Sequence, residues 1–312
     1  MFYTFLLFIF FVASITYFRI ADHFNIIDHP NERSSHTLIT IRGGGIIFLF
    51  SIIICSVIYS QYWLIGLGTF IIGLVSFFDD ILTLSNKLRI LVHLIAVTLL
   101  FIALGVFDKF PFYTCVFLYF FVIGVINAYN FMDGINGITG LYSIVILVGL
   151  QWINIHQVNF IEPDMIWLPV LACFVFLFFN FRKKAKCFAG DVGSITIAFW
   201  ILFLLLKVIL QTNDWRYILF LSVYGVDSVL TVAHRLILRQ NIFSPHRLHF
   251  YQLLANEHKI PHLFVATLYA AIQLLIIYFV TSNNFTLSVI FGIVLIPLIL
   301  IYLVFKPRIM KA

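Results

Sequence analysis

Asp79 and Asp80 stand side by side at the end of an apolar run, with Lys87 and Arg89 shortly after them. Two adjacent carboxylates repel each other, so one keeps its proton or a cation stands close by. A magnesium ion or the ammonium of Lys87 would meet that need. A solvated helix end is the plainer reading, but the negative end of a helix dipole disfavours carboxylates. A second acid, Asp191, lies between two glycines in Gly190-Asp191-Val192-Gly193-Ser194, where another apolar run begins. There it could ligate Mg²⁺ bearing a diphosphate, since that ion is usually held by one or two carboxylates plus substrate oxygens. It could also simply cap a helix.

Three other stretches carry polar groups between apolar runs. Residues 127–137 hold Asn127, Asn130, Asp133, Gly134, Asn136 and Gly137 with no lysine or arginine. A carboxylate among amides and glycines at a helix end suits a polyphosphate or metal site, and a capped turn is the alternative. His246-Arg247-Leu248-His249, beside Phe250 and Tyr251, suits phosphate and sugar contacts. Zinc fits less well, because no cysteine or carboxylate sits at ligand spacing. Arg42-Gly43-Gly44-Gly45 follows a polar loop containing His36. The glycines either let an anion approach a helix N-terminus or let two helices pack closely. Within apolar runs, His93 reads as a packed histidine, while Asp227 is a functional candidate or a bond to a neighbouring helix.

The elements that position these groups are membrane spans. The chain is 62% hydrophobic and 10% charged over 312 residues, a balance that excludes a soluble domain. The expected fold is an all-α polytopic integral membrane protein with about eleven spans, at 2–20, 43–60, 62–78, 88–106, 112–127, 138–155, 165–181, 193–210, 216–233, 262–281 and 285–305. The first run is long enough to span and lacks the basic start of a secretory signal. Of the nineteen lysines and arginines, all but Lys109, Lys207 and Arg216 fall on one side of this arrangement. By the positive-inside rule that side is cytoplasmic, with an external N-terminus and a cytoplasmic C-terminus. The net charge of +6 therefore speaks for topology and not for nucleic acid. The candidate loops, 21–42, 79–87, 127–137, 182–192 and 234–261, all face the cytoplasm. They serve one transmembrane domain covering 1–312. The cysteines form no C-x-x-C pair, so neither disulfides nor a zinc knuckle is expected.

Taken in order, these loops resemble the polyprenyl-phosphate N-acetylhexosamine-1-phosphate transferases, the MraY/WecA-like group of glycosyltransferase family 4. Asp28 to His36 with Arg42 to Gly45 looks like the first cytoplasmic motif, and Asp79-Asp80 with Lys87 like the paired-aspartate motif. Asn127 to Gly134 is similar to the asparagine-rich motif, and Gly190 to Ser194 to the magnesium motif. His246-Arg247-Leu248-His249 resembles the histidine loop of the branch that starts O-antigen and related glycans. The sequence departs from the group at Asn136, where an acid is frequent, and at Ile39 and Ile41, where prolines are common.

The resemblance implies that a UDP-N-acetylhexosamine and undecaprenyl phosphate give undecaprenyl-diphospho-sugar and UMP at a bacterial inner membrane. It implies Mg²⁺, with Mn²⁺ as the alternative ion, held by Asp191. Asp79 would act as base beside Asp80, and Lys87 and Arg247 would hold phosphates. Asn130 and Asp133 would contact the nucleotide, and His246 and His249 the sugar side. His36 and Arg42 join the substrate site through the first motif. The partners implied are the nucleotide sugar, the lipid phosphate and the bilayer, with a homodimer compatible and no nucleic acid. Two rival readings are an ion-coupled transporter, for which Asp227 would be the coupling acid, and a non-catalytic polyprenyl-phosphate-binding paralogue.

Overall fold

The computed structural model describes residues 1–28, 39–241 and 247–310. The chain runs through α1 (Phe2–His23), α2 (Ile46–Ile58), α3 (Trp63–Leu82), α4 (Asn86–Leu104), the short α5 (Val106–Lys109), α6 (Phe112–Met132) and α7 (Ile138–His156). It continues through α8 (Asp164–Asn180), α9 (Gly190–Thr212), α10 (Ser222–Ile237), the single turn α11 (Phe250–Gln252), α12 (His262–Ser282) and α13 (Leu287–Ile309). Each expected span overlaps one long helix. Among the described residues, nine helical segments are long and apolar enough to cross a membrane, and α2 and α8 are shorter apolar helices. At about 1.5 Å per residue, α2 covers only about 20 Å, short of a hydrocarbon core of about 30 Å. Among the described residues the fold is helical apart from a two-stranded antiparallel ribbon, β1 (Ile27–Asp28) with β2 (Thr40–Ile41), in register Ile27 to Ile41.

The bundle is built around α9, whose apolar stretch is 94% buried, whereas that of α13 is 17% buried at the rim. Helices α2, α3, α6 and α7 pack on α9. The glycines of the first loop explain how α2 comes so close. A Cβ on Gly45 would lie 2.3 Å from Gly193 Cα. The N–H groups of Gly44 and Gly45 donate to the carbonyls of Phe188 and Ala189 at 2.8 and 3.0 Å. These donors are spent on the chain itself, so close packing, and not anion binding, accounts for Gly44 and Gly45.

The helices extend beyond the expected spans at the end of the bundle that carries the acids. Helix α3 continues to Leu82, α6 to Met132, and α9 begins at Gly190. Asp79, Asp80, Asn130 and Asp191 thus lie on terminal helical turns and not on loops. That gives them fixed directions, because side chains on regular helices are held by their own turns. The loops between them are tied together. Ile41 bridges Cys187 in parallel, and Phe188 N–H donates to Ile41 O at 2.8 Å. Asn180 accepts from Gly137 N–H at 2.6 Å and donates to Cys187 O at 2.8 Å.

Candidate active site

Asp80 is the structural centre of the acidic cluster. Its Oδ1 accepts the N–H of Asp191 at 2.9 Å and the Arg42 Nε–H at 2.8 Å, and its Oδ2 accepts the N–H of Val192 at 3.1 Å. The first N–H groups of a helix have no partner within it, so an acid from α3 caps α9 from outside. Gly190 makes the approach possible. It holds φ +70°, and a Cβ there would lie 2.5 Å from Asp80 Oδ2. The Asp80 side chain is 0% exposed. With no exposed side-chain surface and with Asp191 N–H, Val192 N–H and Arg42 as partners, it is placed to hold the site.

Asp79 and Asp191 stand nearer the open side. Asp79 Oδ1 accepts Leu84 N–H at 2.6 Å, and its Oδ2 meets Arg89 Nε at 3.1 Å. Asp191 Oδ2 meets Arg89 Nη2 at 3.2 Å, while its Oδ1 faces Arg42 Nη2 at 3.9 Å. The Asp79 and Asp191 carboxyls share one guanidinium, that of Arg89. Three acids and two arginines thus form one cluster. For Arg42, burial opposes the charged form, but Asp80 and Asp191 more than offset it and raise its pKa. The Arg42 carbonyl also accepts the Tyr17 hydroxyl at 2.7 Å, which fixes the loop's exit from β2.

Lys87 is exposed and makes no ion pair among the described residues. The cation brought to the two acids is Arg89, which sequence reasoning passed over. Ser85 caps α4, accepting Leu88 N–H at 3.4 Å. Counting from that cap puts Lys87 in the first turn and Arg89 on the face shared with His93, four residues on. His93 is 5% exposed, so the face carrying Arg89 points into the bundle. A cap followed by a buried histidine at that spacing was the available signal.

Asn130 and Asp133 lie beside this cluster. Asn130 Oδ1 accepts the Ser194 hydroxyl at 2.9 Å, tying the end of α6 to the start of α9. Asp133 Oδ1 accepts the Thr139 hydroxyl at 2.6 Å. Burial pushes the Asp133 carboxyl up to about 7; the Thr139 bond opposes this, the charge of Asp80 adds to it, and Arg42 opposes it. Asn136 points elsewhere. Its Nδ2 donates to Arg182 O at 2.8 Å, pinning residues 127–137 to the loop before α9.

The histidine loop is anchored from below. Asp227 on α10 accepts Phe250 N–H at 2.8 Å, Tyr251 N–H at 3.3 Å and the Tyr269 hydroxyl at 2.8 Å. Asp227 therefore caps α11, a structural use that removes the reason to read it as a coupling acid. His249 Nδ1 lies 3.4 Å from Asp227 Oδ1, and the residue is 1% exposed. It was expected to contact the sugar; the structure turns it inward as part of the anchor. Tyr251 carries the loop to the acidic end, its hydroxyl donating to Phe131 O at 2.8 Å. Arg247 is partly exposed beside it. His36 and His246 lie outside the described residues.

Among the described residues no three His, Cys, Asp or Glu side chains converge as a protein-only metal cage. Asp79 and Asp191 do converge, and two carboxylates suit a magnesium ion whose remaining ligands are phosphate oxygens and water. The donor set fits that ion and would not suit zinc.

Residues 62–209, which hold α3, α4, α6, α7, α8 and most of α9, match the profile of Glycosyl transferase family 4. A "probable undecaprenyl-phosphate N-acetylglucosaminyl 1-phosphate transferase" of Bacillus subtilis (strain 168) is 26% identical over 259 residues, covering 76% of this chain and 71% of that protein. An undecaprenyl-phosphate alpha-N-acetylglucosaminyl 1-phosphate transferase of Escherichia coli (strain K12) is 25% identical over 262 residues, again 76% and 71%. A phospho-N-acetylmuramoyl-pentapeptide-transferase of Petrotoga mobilis is 28% identical over 182 residues, covering 49% of this chain and 56% of that protein.

Proposed function

The chain belongs to glycosyl transferase family 4, and on that premise we propose that it transfers an N-acetylhexosamine 1-phosphate from a UDP-sugar to undecaprenyl phosphate. The products are undecaprenyl-diphospho-sugar and UMP, and the reaction starts a cell-envelope polysaccharide. The observation that carries this reading is the meeting of Asp79, Asp191, Arg42 and Arg89 at the N-terminus of the most buried helix. The relatives' names agree with it. The basic-residue asymmetry supports an inner-membrane protein with this end facing the cytoplasm, where UDP-sugars are made. A homodimer is compatible with the lipid-facing rim.

Both substrates are anions, so the site first has to offset charge. Asp191 and Asp79 would hold Mg²⁺, which would supply positive charge to offset that of the diphosphate and of the departing UMP. A lipid phosphate oxygen attacks the β-phosphorus, and the bond from that phosphorus to the UMP oxygen breaks. Asp79 orients the lipid phosphate and accepts its proton where one is present. Arg42 presents its fork to phosphate oxygens while Asp80 holds it in place. Lys87 and Arg247, at the periphery, draw in the phosphates. Asn130 and Asp133 seat the nucleotide.

The test is UMP release by purified protein from a panel of UDP-N-acetylhexosamines, with and without undecaprenyl phosphate and Mg²⁺. Lipid- and metal-dependent release supports the reading and names the sugar. No release from any member overturns it. Near-normal turnover by Asp191→Asn would remove the metal assignment.

A further inference from the structure

We infer that Arg89 is a displaceable counter-ion, holding Asp79 and Asp191 until a divalent cation takes their oxygens. This rests on the proposed metal reading of the same pair. One edge of the guanidinium, Nε and Nη2, meets Asp79 Oδ2 at 3.1 Å and Asp191 Oδ2 at 3.2 Å. The remaining Asp79 oxygen is held by Leu84 N–H at 2.6 Å, and the remaining Asp191 oxygen faces Arg42. A cation bridging the two acids would therefore take the atoms that Arg89 now holds.

The two arginines of the cluster differ in freedom. Arg42 cannot leave without stranding Asp80, whose side chain is fully buried. Among the described residues, Arg89 pairs only with the two acids that a cation would neutralise. Its side chain is 30% exposed, and it borders a small cavity lined by Ser76, Asp79 and His93. Two converging carboxylates favour a positive partner, and the arginine supplies it when no cation is present. Once displaced, its planar fork is free to meet phosphate oxygens arriving with the cation. Arginine and cation thus compete for one pair of acids.

The experiment measures Mn²⁺ binding to the purified full chain by electron paramagnetic resonance, with no nucleotide sugar or lipid phosphate present. Removing the competitor in Arg89→Met tightens Mn²⁺ binding by about two- to fivefold, equivalent to losing one partly exposed ion pair. Arg89→Lys, which keeps the charge but has no two-atom edge, falls between the two. Turnover of Arg89→Met nevertheless drops. Loss of a merely structural residue would not tighten metal binding, so equal or weaker Mn²⁺ affinity in both variants overturns the inference. Should Arg89→Met fail to elute as a single species, Arg89→Lys alone decides by the same criterion. Asp191→Asn marks the site: wild-type binding that survives this change, or is absent altogether, overturns the metal reading and this inference with it. Wild-type binding lost in Asp191→Asn but unchanged in both Arg89 variants overturns this inference alone.

Discussion

The carboxylate of Asp80 accepts the backbone N–H of Asp191 at 2.9 Å, across 111 positions of chain. The neighbouring acids of the pair consequently have different work. Asp80 is a positioning residue that orients the first turn of α9, and Asp79 is the acid proposed to meet the reacting groups. Replacing Asp80 by Asn removes the charge facing Arg42 and weakens two helix N–H bonds. Breaking a fully buried pair costs about 3–5 kcal/mol; Arg42, the partner left behind, is 36% exposed, so Asp80→Asn should cost less than that while lowering both thermal stability in detergent and turnover. Asp79→Asn should cut turnover by orders of magnitude with little change in unfolding temperature. Equal stability of the two variants would mean that the division of labour is wrong.

Gly45 and Gly193 set how closely α2 approaches α9. An alanine at Gly45 would place its Cβ 2.3 Å from Gly193 Cα and 2.8 Å from Ala189 O, both backbone atoms that cannot rotate away. Overpacking of this kind costs about 1–3 kcal/mol. Gly45→Ala should lower the unfolding temperature and reduce activity, since Arg42 lies three residues before the contact. An alanine at Gly124, which has nothing within 4 Å, is the matched control and should leave both unchanged.

Much of this was legible in the sequence. Runs of about twenty apolar residues give a strong signal for spanning helices. Acids among such runs stand out because they are costly there. Partner choice was hidden. Whether Lys87 or Arg89 reaches Asp79 depends on helix phase, which Ser85 fixes by capping α4. The partner of Asp80 is remote in sequence, and no local pattern announces a cap supplied by another helix. His249 sits in a loop whose composition suits ligand contact, yet Asp227 draws it inward. The helix ends were placed too early at Asn130 and too late at Asp191, because hydropathy fades where polar residues begin although the helical bonds continue.

The side-chain amide of Asn136 is used as a donor. Nδ2 donates to Arg182 O at 2.8 Å, and the residue is 6% exposed. A carboxylate there could not donate and would face a carbonyl oxygen, leaving both acceptors unsatisfied. Such a loss costs about 1–3 kcal/mol. Asn136→Asp should therefore lower thermal stability and turnover. Increased turnover would show that this loop needs a second charge and that the amide's bond is incidental.

Asp133 gives the site a pH dependence of its own. Burial is the main reason its carboxyl is pushed up to about 7, with the Asp80 charge adding to it. In the unfolded chain the same group titrates near about 4. The folded state therefore binds the proton more tightly, and stability from this group is fully present below about pH 4. It is lost as pH rises from there through about 7, where the half-buried group ionises. The amide introduced by Asp133→Asn would keep an oxygen for the Thr139 hydroxyl, which now meets Asp133 at 2.6 Å, without acquiring charge. The difference in unfolding temperature, Asp133→Asn minus wild type, should thus become more positive between about pH 5 and about pH 8. Thermal unfolding in detergent across that range measures it. A difference that stays flat, or shrinks as pH rises, would show that Asp133 is already ionised at the acidic end of that range in the folded protein.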